Sequence, residues 1–301
     1  LILSTDMLDL STFLALTKTK ARSAIYFHEN QLSYPWSPND KDVLRKRNHH
    51  YSFINYVSAL SADHVLFNSR FHMEIFLKEL HSFLNHFPDY NEIDTIKIIE
   101  KKSEVLSLAI ELKKFDSYKY TNHNKPLILW NHRWEYDKNP ELFFQSLKHV
   151  KDHGYNFDLV VLGENFSNSP EIFKNAENIF KENILHWGYA KTFDSYAKWL
   201  WKANILPVTS NQDFFGVSVM EAIYCEAYPL LPNRLSFPEL IPKEFHCDHF
   251  YQNDKELIEK LKNIIKTYKN RDLKALKKAT LKFDWNNLAP VYDVKLASLL
   301  K

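Results

Sequence analysis

Glycine is scarce: four residues in 301, few for a chain that must wrap a phosphate. Cysteine is scarcer. Cys225 and Cys247 form no disulfide framework and no CxxC metal pair, so two buried thiols in a reducing compartment are expected. No run of about 18 apolar residues is present, which excludes a membrane-spanning helix from this reading. No basic-then-apolar leader opens the chain, so a cytoplasmic location is expected. The 14 histidines are scattered, with no HExxH, and there is no Walker A loop and no GxSxG elbow. No metal site is expected. The net charge of +2 is too balanced for a dedicated nucleic-acid binder, but it suits an enzyme that visits RNA.

What is there is ordinary in bulk and specific in detail. Hydrophobic residues make up 45% and charged residues 25%, as in a globular protein, while the aromatic share, 15%, is high. Short apolar runs predict strands at 24–28, 65–67, 105–108, 127–131, 158–162, 184–187, 205–208 and 229–231. Amphipathic helices fall between them, with stripes at Phe76, Leu80, Phe83, Leu84 and Phe87, and at Leu257, Ile258, Leu261, Ile264 and Ile265. The alternation predicts parallel α/β layers. A polar stretch at 111–125 separates an N-terminal α/β domain at 1–110 from a C-terminal one at 126–285, with a final helix at 286–301. The opening run Leu1-Ile2-Leu3 looks like a truncated start.

The densest signal is Asp213-Phe214-Phe215-Gly216-Val217-Ser218-Val219-Met220-Glu221. The apolar run after Gly216 reads as a buried helix, whose N-terminus offers free N–H groups and a positive dipole end to phosphate. A carboxylate two turns on, Glu221, suits sugar hydroxyls. Arg133 and Lys138 share the loop after the strand at 127–131, where they converge on one anion or stand as two solvated cations. Pro140 fits a helical first turn. Gly163-Glu164 is a site or a plain strand-to-helix turn. His186-Trp187-Gly188-Tyr189 is a seat for a nucleobase or an aromatic core corner. In the N-terminal half, His28, Glu29, Asn30 and Gln31 end a strand in four polar side chains, which suits a cleft. Arg45-Lys46-Arg47 is the dense basic cluster, a polyanion contact or a solvated face. Asn68-Ser69 reads as a helix cap.

These residues resemble a known family. Arg133…Lys138, Gly163-Glu164 and the two acids flanking Phe-Phe-Gly-Val look like the donor half of retaining GT-B glycosyltransferases of family four. The likeness is closer still to the tRNA-queuosine α-mannosyltransferase group. It runs through Tyr26-Phe27-His28-Glu29-Asn30-Gln31, Phe67-Asn68-Ser69, His132-Arg133-Trp134-Glu135, Leu162-Gly163-Glu164-x-Phe166, His186-Trp187-Gly188-Tyr189 and Glu221-Ala222-x-Tyr224-Cys225. The resemblance implies two Rossmann-like domains facing across a cleft, with no cofactor, GDP-mannose as donor and queuosine-containing tRNA as acceptor. It implies Arg133 and Lys138 on the diphosphate, Glu221 on the ribose, and Asp213 and His28 at the transferred sugar. Gly163, Glu164, His186, Trp187, Gly188, Tyr189, Phe215, Gly216, Val217 and Ser218 would bind the donor. Glu29, Asn30, Gln31, Arg45, Lys46 and Arg47 would meet the acceptor. A lipid or polysaccharide acceptor, or an inactive donor-binding module, is the alternative; no stable membrane association is expected. Two departures follow: the family has Glu where this chain has Asp213, which is shorter by roughly one bond, and the N-terminal domain is expected to lack its first strand and Gly-rich turn.

Overall fold

A strand covered on both faces needs an unbroken apolar run, and Ser23–Phe27 is one, buried at all five positions. In the computed structural model, which describes residues 1–35, 50–120, 125–164 and 170–300, this strand lies in a four-stranded parallel sheet. Arg45, Lys46, Arg47 and Phe166 lie outside the described residues. The chain forms two units, Leu1–Ala109 with Leu288–Lys301, and Ile110–Asn287.

In the first unit the sheet order is β1 (Ile2–Thr5), β2 (Ser23–Phe27), β3 (His64–Phe67), β4 (Ser103–Val105). Successive side chains of a strand face opposite ways. Ile25 and Phe27 therefore join Val65, Phe67, Phe76 and Leu80 in one core, and Ala24 and Tyr26 join Leu66, Leu106 and Leu299 in another. Tyr292, from the terminal helix Trp285–Ser298, donates to Ser107 O at 2.9 Å beside the Tyr26 hydroxyl. The helix Arg70–Leu84 is capped by Ser69, whose side chain accepts from His72 N.

The run Leu1-Ile2-Leu3, for which no strand was expected, enters β1, paired with β2. Two expectations change here. The strand expected at 105–108 lies at Ser103–Val105, because its partner β3 ends at Phe67; Leu106 makes one last bond to Phe67 O, and beyond it no strand is left to pair. Phe87 lies past the helix end and is exposed, outside the stripe that buries Phe76, Leu80, Phe83 and Leu84.

The second unit holds six parallel strands: β5 (Leu127–Trp130), β6 (Asp158–Leu162), β7 (Ile184–Gly188), β8 (Ile205–Pro207), β9 (Tyr228–Pro232) and β10 (Phe250–Tyr251). Their order is β10-β9-β8-β5-β6-β7. The two-residue β10 had no sequence signal long enough to read. The chain leaves β5 toward β6 and β7, returns to β8 beside β5, then runs outward to β9 and β10. The order thus reverses between β5 and β8, and ligands of open parallel sheets bind past the strand ends at such a reversal. Trp130, Phe143, Phe144, Phe173 and Phe180 pack the core on one face of this sheet. Cys225 is buried, as expected of both thiols, but Cys247 is exposed, on the short helix His246–His249.

Candidate active site

The loop after β5 and the segment after β8 are tied together at the reversal. Asn131 Nδ2 donates to Ser218 O at 2.7 Å, and Ser218 Oγ lies 3.2 Å from His132 Nδ1. The Lys138 ammonium donates to Gln212 O at 2.8 Å and to Asp213 Oδ2 at 3.1 Å, with Asp137 Oδ2 at 3.2 Å. Burial works against this charge, but Asp213 and Asp137 outweigh it and hold the ammonium above its ordinary value. Lys138 is thus a buried cation clasped by two carboxylates. Arg133 is different. Its guanidinium is half-exposed and faces Glu135 Oε2 at 3.4 Å. Glu135 is raised, by burial first, against the pull of Arg133.

Local geometry explains why the chain turns here. Asn139 adopts a left-handed conformation, φ 51°, and its side chain caps Leu142 N, with Pro140 opening the helix Pro140–Asp152. Thr209 Oγ1 donates to Lys138 O at 2.8 Å, so the segment after β8 holds the loop. Gly216, φ 87°, is the N-cap of the helix Val217–Tyr224, and a Cβ there would stand 3.0 Å from the Phe237 ring. The first N–H groups of this helix, on Val217 and Ser218, have no partner among the described residues. Beside them His132 Nε2 is buried without a partner among the described residues, and burial lowers this imidazole to about 4, so it is neutral at pH 7.

A cavity of about 410 Å³ opens beside this joint, lined by Arg133, Gly163, Glu164, Tyr189 and Tyr196 among others. Glu221 sits on the helix that Gly216 opens, and the Tyr196 hydroxyl donates to its Oε2 at 2.6 Å. Burial raises the Glu221 carboxyl to about 7.

Of the residues read from the sequence, the structure gathers Lys138, Asp213, Gly216, Val217 and Ser218 at one joint, and Arg133, Gly163, Glu164 and Tyr189 around one cavity. Others turn away. Trp187 packs against Trp134 and Phe144 at the core margin, and the Phe215 ring meets Phe283 edge-on at 5.2 Å. His186 Nε2 faces Gly188 O at 3.1 Å, inside its own strand end. Asn131 and His132 stand in the motif stretch after β5 but carried no expected role of their own, and Gln212 and Tyr196 belong to no motif; Tyr196 is hidden in the amphipathic pattern of the helix Phe193–Lys202.

In the first unit, His28 is half-exposed, with Nδ1 3.5 Å from the buried Asp6 Oδ1, which accepts from His28 N at 2.9 Å. Glu29 Oε1 accepts from Gln31 Nε2 at 3.1 Å. Asn30, expected to line the acceptor side, is turned inward. It is fully buried, and its Oδ1 accepts from Leu32 N, Ser33 N and Ser33 Oγ, so it forms the turn. Asn55 braces the same loop, accepting from Gln31 N at 2.7 Å and donating to Asp6 O at 2.9 Å.

Comparison with known proteins gives the family and the fold. Residues 1–110 match the family described as tRNA-queuosine alpha-mannosyltransferase N-terminal, and residues 113–282 match glycosyl transferases group 1. A tRNA-queuosine alpha-mannosyltransferase of Drosophila melanogaster is 32% identical over 273 residues, covering 87% of this chain and 70% of the relative. Among solved structures, sucrose-phosphate synthase from Thermosynechococcus elongatus aligns with a TM-score of 0.72 at 14% identity, over 98% of this chain and 72% of that one. A UDP-forming alpha,alpha-trehalose-phosphate synthase from Burkholderia xenovorans aligns at 0.66 and 13% identity, over 99% and 73%. At such identities the likeness shows the fold alone, the GT-B class. Among the described residues no helix is long and apolar enough to cross a membrane. The group 1 match over residues 113–282, the match of residues 1–110 and the 32% identical relative place this chain in the tRNA-queuosine alpha-mannosyltransferase family.

Proposed function

We propose that the protein transfers mannose from GDP-mannose to a cyclopentene-diol hydroxyl of queuosine in tRNA, with retention at the sugar's anomeric carbon. One observation carries this reading. The loop bearing Arg133 and Lys138 is bonded to the opening of the helix Val217–Tyr224 through Asn131, His132 and Ser218, so cations and free N–H groups border one seat. A diphosphate fits that seat by charge and by hydrogen bonding.

In the proposed reaction the bond from C1 of mannose to the β-phosphate oxygen breaks, and the acceptor oxygen bonds C1 on the same face. The leaving phosphate gains negative charge in the transition state. Arg133, Lys138 and the N–H groups of Val217 and Ser218 stabilise it as it grows, and interactions that strengthen in this way raise turnover. The departing phosphate oxygen takes the acceptor proton, so neither a side-chain base nor a metal is part of the proposal. The neutral His132 offers Nε2 to the donor without adding charge. Asp213, held by Lys138, would contact the mannose, and Glu221 the ribose. His28, oriented by Asp6, would meet the sugar. A tRNA substrate goes with a cytoplasmic location.

The test is direct. Protein, GDP-mannose and queuosine-containing tRNA are mixed, the RNA is digested, and the nucleosides are weighed for one added hexose. GDP-glucose, UDP-sugars and tRNA lacking queuosine serve as controls. Hexose addition with GDP-mannose and queuosine together is the expected result. Addition to tRNA without queuosine, or none with any donor, would defeat the reading.

A further inference from the structure

Tyr196 belongs to no motif, yet it touches the carboxylate to which the donor reading gives the ribose. It lies in the first turn of the helix Phe193–Lys202, which Thr192 caps by accepting from Ser195 N. The rings of Phe115 and Phe193 stand 6.1 and 6.5 Å from its own and fix its plane. Its hydroxyl donates to Glu221 Oε2 at 2.6 Å, in the range of a charge-assisted bond. Tyr196 also lines the cavity that holds Arg133 and Glu164. Glu221 Oε1, by contrast, has no partner among the described residues. An unheld Glu side chain samples several rotamers, and ordering it costs binding energy. Anchored through one oxygen, it keeps the other in a fixed direction.

We propose that Tyr196 is a positioning residue for the donor's ribose: by engaging Glu221 Oε2 it leaves Oε1 to accept from a ribose hydroxyl, so the pair reads the diol. This rests on the donor reading given above. Asn131, from the loop after β5, and Cys225, at the end of Glu221's own helix, are the other groups facing the pair. Burial keeps the Cys225 thiol protonated and Asn131 is neutral, so neither brings charge to the pair at neutral pH.

The titration of Glu221 gives the role a signature. Burial raises its carboxyl to about 7, and the bond from Tyr196 opposes that rise. A protonated carboxyl loses acceptor capacity, so ribose binding strengthens as pH rises through about 7. Without the tyrosine hydroxyl the carboxyl climbs further, and the strengthening moves to higher pH.

The experiment measures calorimetric affinities for GDP and for 2′,3′-dideoxy-GDP from about pH 6 to about pH 8.5. The ratio of the two cancels titration of the phosphates. The wild type is expected to favour GDP by about ten-fold or more, the strength of a hydrogen bond to a charged group. Tyr196→Phe should unfold at a modestly lower temperature, because the buried Glu221 carboxyl loses its donor, but keep its dideoxy affinity, lose most of the GDP preference at neutral pH, and regain it with a midpoint above the wild type's. Glu221→Gln should remove the pH dependence of the ratio. A Tyr196→Phe protein with the wild-type ratio and midpoint overturns the positioning role and leaves Glu221 in its place. A wild type that binds both nucleotides alike overturns the ribose reading, and this proposal with it.

Discussion

The backbone of His132 lies against Gly163 so closely that a Cβ at 163 would stand 2.0 Å from the His132 carbonyl oxygen. Gly163 also holds φ at 124°, a region other residues avoid. The turn after β6 is therefore shaped by the loop after β5, and the pairing sets one wall of the cavity. Gly163→Ala must push the 131–133 loop away and strain its own backbone. It should destabilise the protein by about 2 kcal/mol, read as a fall in the midpoint of urea unfolding. GDP affinity should fall with it. Unchanged stability would mean that the loop yields at no cost.

Arg133 and Lys138, though in one loop, should fail in different ways when removed. Arg133 faces Glu135 near the surface, and such pairs contribute about 1 kcal/mol or less. Arg133→Ala should leave unfolding nearly unchanged and slow transfer by about 10²–10³-fold. Lys138→Ala leaves Asp137 and Asp213 facing each other without their cation, and should cost about 3 kcal/mol of stability besides activity. Adding Asp213→Asn should restore part of the stability and none of the transfer. Single-turnover rates and unfolding curves of the three variants separate the two roles.

These differences mark where the sequence stops being legible. Strands such as Asp158–Leu162 and the helix Val217–Tyr224 could be read because burial on both faces demands an unbroken apolar run. A glycine at 163 was readable as a turn. Its need to admit a carbonyl from 31 positions earlier was not, because that depends on tertiary contact. Lys138 looked like a loop cation, since nothing in the sequence shows that Asp213 folds back onto it. Asn30 looked like a cleft residue because a run of polar side chains does not reveal which one bends inward to cap its own turn. Tyr196 has the spacing of an ordinary helix residue, and only its partner gives it a role.

His132 predicts how the protein responds to acid. Burial holds its imidazole at about 4, below the ordinary 6.5, so the unfolded chain takes the proton first. Stability is then full above pH 6.5 and is lost as pH falls from there toward 4, where the folded form also takes the proton. From pH 7 to pH 5 this one group should remove about 2 kcal/mol. His72, buried in the first unit and lowered to about 3, acts in the same direction. Urea unfolding of the wild type and His132→Gln at both pH values isolates the term. The variant should lose less stability on acidification, and parallel losses would show that His132 is not buried neutral.

Asn55 makes the corresponding test in the first unit. Its side chain joins two loops that follow different strands, taking Gln31 N on one side and giving to Asp6 O on the other. Both loops carry residues around His28. Asn55→Ala leaves a buried donor and a buried acceptor unmatched, a loss of about 2–4 kcal/mol. Asn55→Asp keeps the acceptor for Gln31 N but sets a buried carboxylate oxygen against the Asp6 carbonyl oxygen, so it should be destabilised at least as much as Asn55→Ala. Because GDP would be held by the second unit, its affinity should stay unchanged in both variants, while transfer to queuosine falls as the Asp6–His28 pair loosens. A parallel loss of GDP affinity would instead mean that the first unit also builds the nucleotide seat.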